Sequence, residues 1–187
     1  LGARMTGLDF SPASVAEARR FAQRLGDPTE FVESDVYAAA DVLPDGAFDF
    51  VFTGVGALCW LPSIERWAAV VARLLKPGGR LFLREGHPML WSLDSDGEPG
   101  DPLVVRYPYF ETEEPLVFDE GGTYVTTDAV FTQNVTHEWN HGLGETVTAL
   151  LANGLRLTAL EEHDSVPWEA LPGRMVHSDT DDEWRLA

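Results

Sequence analysis

Met5-Thr6-Gly7-Leu8-Asp9-Phe10-Ser11-Pro12 changes its period within two residues, and the rest of the chain is read outward from it. Met5 to Phe10 alternates like a short strand. Ser11 and Pro12 then supply a helix N-cap and a proline at the first helical position, where its missing N–H costs nothing. Val15, Ala18, Ala22 and Leu25 recur at helical spacing while Glu17, Arg20 and Arg24 face away, and Gly26 with Pro28 marks the stop. A strand leading directly into an amphipathic helix is the first half of a β-α-β unit. Glu30 to Glu33 supplies the second strand, which runs out at Asp35.

The same rhythm continues downstream. An Asp45-Gly46 turn precedes Phe48 to Thr53, an apolar run suited to a buried parallel strand. Ile64, Trp67, Val71 and Leu74 form another apolar stripe, closed by Lys76-Pro77-Gly78-Gly79 and followed by a strand from Arg80 to Glu85. Stacked β-α-β units predict an α/β, Rossmann-like, doubly wound fold with a mostly parallel sheet. Between residues 87 and 136 the rhythm breaks into short aromatic segments, such as Val104 to Phe110 and Leu116 to Phe118, which predicts an inserted β-rich cap. Leu143, Val147, Leu150 and Leu151 restore helical spacing up to Asn153-Gly154, and Leu155 to Leu160 alternates like a strand. The expected organisation is one domain over 1–187, with 1–86 and 137–187 as core and 87–136 as cap. The tail after Pro167 carries too little periodicity for an assignment.

Composition narrows the function. Thirteen basic against 31 acidic residues give a formal charge of -18, which repels a phosphate backbone and argues against nucleic-acid partners. No stretch approaches the roughly 20 apolar residues that span a bilayer, and no basic segment followed by an apolar run opens the chain. Cys59 is the single cysteine and sits between Leu58 and Trp60, which predicts a packed thiol and a reducing, cytoplasmic setting.

In open α/β sheets ligands bind beyond the carboxyl ends of the strands. Those ends are Asp9, Asp35, Thr53 to Ala57, and Glu85 to His87. A carboxylate ending a strand, as Asp9 does, can accept hydrogen bonds from both hydroxyls of a ribose. His87 is a candidate general base or substrate contact because its ordinary pKa lies near neutrality. His137, Glu138 and His141 lack the spacing of a helical zinc pair, so no metal site is expected, and Asn140 or His141 is read as the cap of the helix near Leu143.

Taken in order, Thr6 to Pro12, Glu33-Ser34-Asp35-Val36, Phe48 to Phe52 and Leu75-Lys76-Pro77-Gly78-Gly79-Arg80-Leu81 resemble the class I S-adenosylmethionine-dependent methyltransferases of the bacterial small-molecule type. The resemblance covers at least residues 1 to 86. It implies methyl transfer from S-adenosylmethionine to a small-molecule acceptor by direct displacement. Asp9 would then hold the ribose, Asp35 the adenine amino group, Phe10 and Val36 the adenine faces, and Thr53, Gly54, Val55 and Gly56 the methionine portion. Trp60, Tyr107 and Tyr109 would belong to the acceptor pocket, with aromatic support from Phe110, Phe118 and Tyr124. The resemblance also implies a strand and glycine-rich turn ahead of residue 1, and a closing β-hairpin that nothing after Leu160 clearly supplies. Two rival readings remain open. A nicotinamide-dependent oxidoreductase uses the same ribose contact, though no tyrosine and lysine pair is evident, and an inactive binding or scaffold protein could keep the fold alone.

Overall fold

The computed structural model describes residues 2–95, 100–119, 128 and 130–187. Tyr124, one of the cap aromatics, lies outside the described residues. The chain divides into two compact units, residues 1–53 with 65–82, and residues 54–64 with 83–187.

The first unit opens with β1 (Thr6–Asp9), α1 (Pro12–Leu25) and β2 (Glu30–Glu33). β1 and β2 are parallel, with Thr6 opposite Glu30 and Asp9 opposite Glu33. Local chemistry sets both helix ends: Ser11 Oγ accepts from the Ser14 N–H, and Gly26 takes the left-handed conformation at φ 65° that closes the helix. The buried face carries Val15 and Ala22. Arg19 donates to the Phe31 carbonyl from Nε and Nη2, at 3.1 and 2.5 Å, tying the helix to β2. Gly7 is a glycine for a packing reason, because a Cβ there would lie 2.7 Å from the ring of Phe31, its register partner.

Beyond β2, a turn of 3-10 helix (Val36–Ala38) leads into the short α2 (Ala39–Val42). β3 (Phe48–Gly54), α3 (Ile64–Leu74) and β4 (Leu75–Arg84) follow, and β3 pairs with β4. Trp67, Ala68, Val71 and Leu74 form the buried stripe of α3, at the spacing the sequence shows. Ala39, Ala40 and Leu74 pack with Leu8, Leu43, Phe48 and Val70 into one cluster. The structure differs from expectation in two places. β4 begins at Leu75, so the Lys76-Pro77-Gly78-Gly79 turn, with Gly78 at φ 82°, lies within the bounds of the strand. β3 is also not fully buried: Phe52 stacks on Phe82 with centroids 5.9 Å apart, yet Phe50 and Phe52, two residues apart on one face of the strand, stay half exposed.

The second unit holds α4 (Pro88–Ser92), the antiparallel pair β5 (Leu116–Asp119) and β6 (Val135–Glu138), and α5 (Leu143–Ala152). It ends in the short strands β7 (Ser165–Val166), β8 (Met175–Ser178) and β9 (Glu183–Leu186), which form an antiparallel sheet in the order β7-β9-β8. The tail that lacked sequence periodicity is therefore a small sheet. Residues 155–160 form no strand, since alternation without a paired neighbour leaves the backbone unladdered, and Leu157 and Leu160 are exposed. Val104 to Phe110 forms one isolated bridge, Leu93 with Val105. The cap of α5 corrects another expectation: the N-cap is Gly142, and Glu145 Oε2 reaches back to its N–H at 2.8 Å. Among the described residues no helix is long and apolar enough to cross a membrane.

Candidate functional site

In the first unit the parallel pairing of β1 and β2 brings both carboxyl ends to one edge. Asp9 faces Glu33 across the ladder, and the Ser34 N–H donates to the Asp9 carbonyl at 3.0 Å, so Asp35 follows directly at the same edge. Both acids are braced by their own turns. Asp9 Oδ1 accepts from the Ser11 N–H at 2.7 Å, and Asp35 Oδ1 accepts from the Tyr37 N–H at 2.7 Å. Each turn uses one carboxylate oxygen of two, leaving acceptor capacity on a fixed side chain. Phe10, beside Asp9, is 76% exposed. A large apolar ring at a strand end, next to a braced acid, fits a flat heterocycle with an attached polyol, which is the chemistry of a nucleoside. Val36 is half-buried in the 3-10 turn, and Thr53 is half-buried near the end of β3.

In the second unit, residues 54–61 form a turn whose backbone is held from Gly56 to Leu61. Gly54 has φ 147° and Gly56 φ 72°, both in the region that favours glycine, and a Cβ on Gly54 would lie 2.4 Å from the Arg84 carbonyl oxygen. Glu85 Oε1 accepts from the N–H groups of Ala57 and Leu58 at 3.0 and 3.4 Å. Burial pushes the Glu85 carboxyl up, while those N–H groups and His141 pull against the shift. The buried His141 places Nε2 at 3.0 and 2.8 Å from the carbonyls of Leu58 and Leu61, and Nδ1 at 3.0 Å from Glu111 Oε2. Glu111 in turn accepts from the Ile64 N–H. Trp139 donates from its backbone to the Cys59 carbonyl at 2.8 Å. Burial first, then the carboxylates of Glu138 and Glu85, pushes the Cys59 thiol up to about 12.

Asn140, read from the sequence as a possible cap, is buried and serves a different purpose. Its Nδ2 lies 2.8, 3.1 and 3.0 Å from the Pro88 carbonyl, Ser92 Oγ and the Pro108 carbonyl. Sequence reasoning missed this junction of Glu85, Glu111, Asn140 and His141. The signal available for it was a run of polar residues between apolar segments, which does not reveal burial.

His87 stands at the N-cap of α4, where Nδ1 accepts from the Met89 N–H at 3.1 Å and Nε2 lies 2.7 Å from Glu162 Oε1. That pattern places the ring proton on Nε2 and engages both nitrogens. Tyr109 Oη accepts from the Leu143 N–H, and its ring meets Phe110 edge-on at 5.1 Å. Tyr107 contacts Phe118 edge-on at 5.8 Å, with the Arg106 guanidinium 5.5 Å from its centroid. These two tyrosines are engaged in packing the cap. Trp60, in a 3-10 turn at Leu58–Trp60, is half exposed, as is Val55, one residue after Gly54. His137 lies opposite Val117 on the β5–β6 pair, and among the described residues no three His, Cys, Asp or Glu side chains form a metal-binding group.

Residues 1–83 match the family of methyltransferase domains. A demethylmenaquinone methyltransferase of Thermus thermophilus is 39% identical over 87 residues, covering 46% of this chain and 38% of that protein. A trans-aconitate 2-methyltransferase of Shigella dysenteriae is 31% identical over 120 residues, covering 58% of this chain and 44% of that protein. The chain thus spans less than half the length of these curated relatives. Among solved structures, an S-adenosylmethionine-dependent methyltransferase of Clostridium acetobutylicum superposes with a TM-score of 0.58 at 11% identity, over 84% of this chain and 66% of that one. A Listeria monocytogenes protein assigned to the same group gives 0.60 at 16% identity, over 86% and 70%. At these identities the likeness establishes the Rossmann-like α/β fold.

Proposed function

We propose that this chain, whose residues 1–83 match a methyltransferase domain, belongs to the class I S-adenosylmethionine-dependent methyltransferases, and that the whole protein moves a methyl group from S-adenosylmethionine to a small-molecule acceptor. The observation that carries this reading is the edge at which β1 and β2 end together, with two braced carboxylates beside an exposed phenylalanine. When bound, S-adenosylmethionine supplies an electrophilic methyl on a sulfonium sulfur. Asp9 would accept from the ribose hydroxyls and Asp35 from the adenine amino group. Phe10 and Val36 would cover the adenine faces. The turn from Thr53 to Gly56, followed directly by Ala57 and Leu58 that Glu85 and His141 hold, would line the methionine portion. Positioning alone can remove roughly 7 to 11 kcal/mol from such a barrier, so the reading asks for no general base. His87, with both nitrogens engaged, would orient α4 beside the acceptor. We also place the protein in the cytoplasm, on its single cysteine and its acidic composition.

The test is calorimetric titration of S-adenosylhomocysteine into the wild type and the Asp9→Ala variant. Loss of the carboxylate leaves ribose hydroxyls unpaired and should weaken binding by roughly 1–3 kcal/mol. An unchanged dissociation constant in the folded variant would remove Asp9 from the site. Absence of binding to the wild type would remove the cofactor reading with it.

A further inference from the structure

The second unit contains a pocket of about 190 Å³ between α4 and the terminal sheet, partly open to solvent, whose mainly apolar lining includes Met89, Leu93, Val166, Leu171 and Met175, with His87, His163 and Asp164 as its titratable members. Its supports are built from several directions. The Trp91 indole lies against Gly86, where a Cβ would come within 2.4 Å of it, and stacks on Trp168 at 6.2 Å. Those contacts join α4 to the segment that carries Leu171, which is 2% exposed and donates its N–H to Met175 Sδ at 3.3 Å.

The lining specifies what fits. Apolar cavities of roughly 150 Å³ accept a benzene ring, so about 190 Å³ takes one ring with a small substituent. Methionines at two walls can adjust to such a shape. Of the titratable groups that line it, His87 pairs with Glu162 at 2.7 Å and Asp164 with Arg185 at 3.2 Å, and His163 is the third. An incoming carboxylate would meet the acidic members of both pairs within a protein of net charge -18. We propose that this cavity is a binding site for a neutral, single-ring small molecule, with phenol as its simplest probe. The inference goes beyond methyl transfer and does not rest on it, since the binding needs no S-adenosylmethionine.

The chain has three methionines, and they form a built-in control: Met89 and Met175 line the cavity, and Met5 sits exposed before β1 in the other unit. With methyl-labelled methionine, phenol should shift the Met89 and Met175 resonances along one saturating curve and leave Met5 in place. Benzoate should need at least ten times the concentration. Filling the cavity by Val166→Phe, or by Met89→Trp read at Met175, should raise the phenol dissociation constant at least tenfold. Absence of saturation, a Met5 shift in step with the others, or equal binding of benzoate would each overturn the site. So would affinity unchanged in either folded variant. The wild-type comparison of the three resonances stands without the variants.

Discussion

Cys59 illustrates how far a single residue could be read in advance. Its apolar neighbours predict a packed thiol, and the structure adds what raises its pKa: burial together with the Glu138 and Glu85 carboxylates. With the thiol at about 12, only about one molecule in ten thousand carries the thiolate at pH 8. A maleimide should therefore label the folded protein at least about 100-fold more slowly than the chain in denaturant. Equal rates would mean that Cys59 is open. The sign of the linkage also follows. Because the folded state keeps its proton longer than the unfolded chain, stability is lost as pH rises from the ordinary thiol value of 9.0 towards about 12. Asp9 was legible as the acid that closes β1 because alternation stops beside it, and Asp35 was read from the run-out of the second strand, which ends two residues earlier at Glu33. Glu111, Asn140 and His141 were not legible, because the partners that bury them lie between 30 and 83 positions away and such separation leaves no local pattern.

At the scale of elements, the turn after β3 carries two glycines at positive φ with different surroundings. Gly54→Ala places a Cβ 2.4 Å from the Arg84 carbonyl oxygen at φ 147°, whereas at Gly56, φ 72°, the added carbon meets open space. The unfavourable backbone costs each variant on the order of 1–3 kcal/mol, and Gly54→Ala should lose clearly more because Arg84 must also move. Equal losses in urea melts would show that the close approach to Arg84 is not energetically important. Elements whose signals are local were readable. α1 carries its cap, proline, stripe and stop within 16 residues, and it folds from Pro12 to Leu25 as that pattern dictates. Elements that depend on a neighbour were not. Leu155 to Leu160 alternates but finds no ladder, while β7, β8 and β9 lack a strong pattern and are strands because they pair with one another.

For the whole molecule, charge is the dominant sequence-level quantity. A formal charge of -18 makes the folded chain repel itself, and salt should relieve that repulsion because the Debye length shrinks from about 30 Å at 0.01 M to about 10 Å at 0.1 M. The melting temperature should rise by roughly 2–5 °C between 20 and 500 mM sodium chloride. A fall would mean that surface ion pairs, such as Arg73 with Asp45 and Lys76 with Asp49, outweigh the net repulsion. Periodicity, capping and turn chemistry act over a few residues, so the β-α-β order, the α/β class and the acid that closes β1 could be read from the chain alone. The burial of Asn140 and His141 as joints, the engagement of both His87 ring nitrogens and the mainly apolar pocket beside α4 appear only in the folded molecule. Burial and hydrogen-bond partnership between distant residues come into being only when the chain is packed.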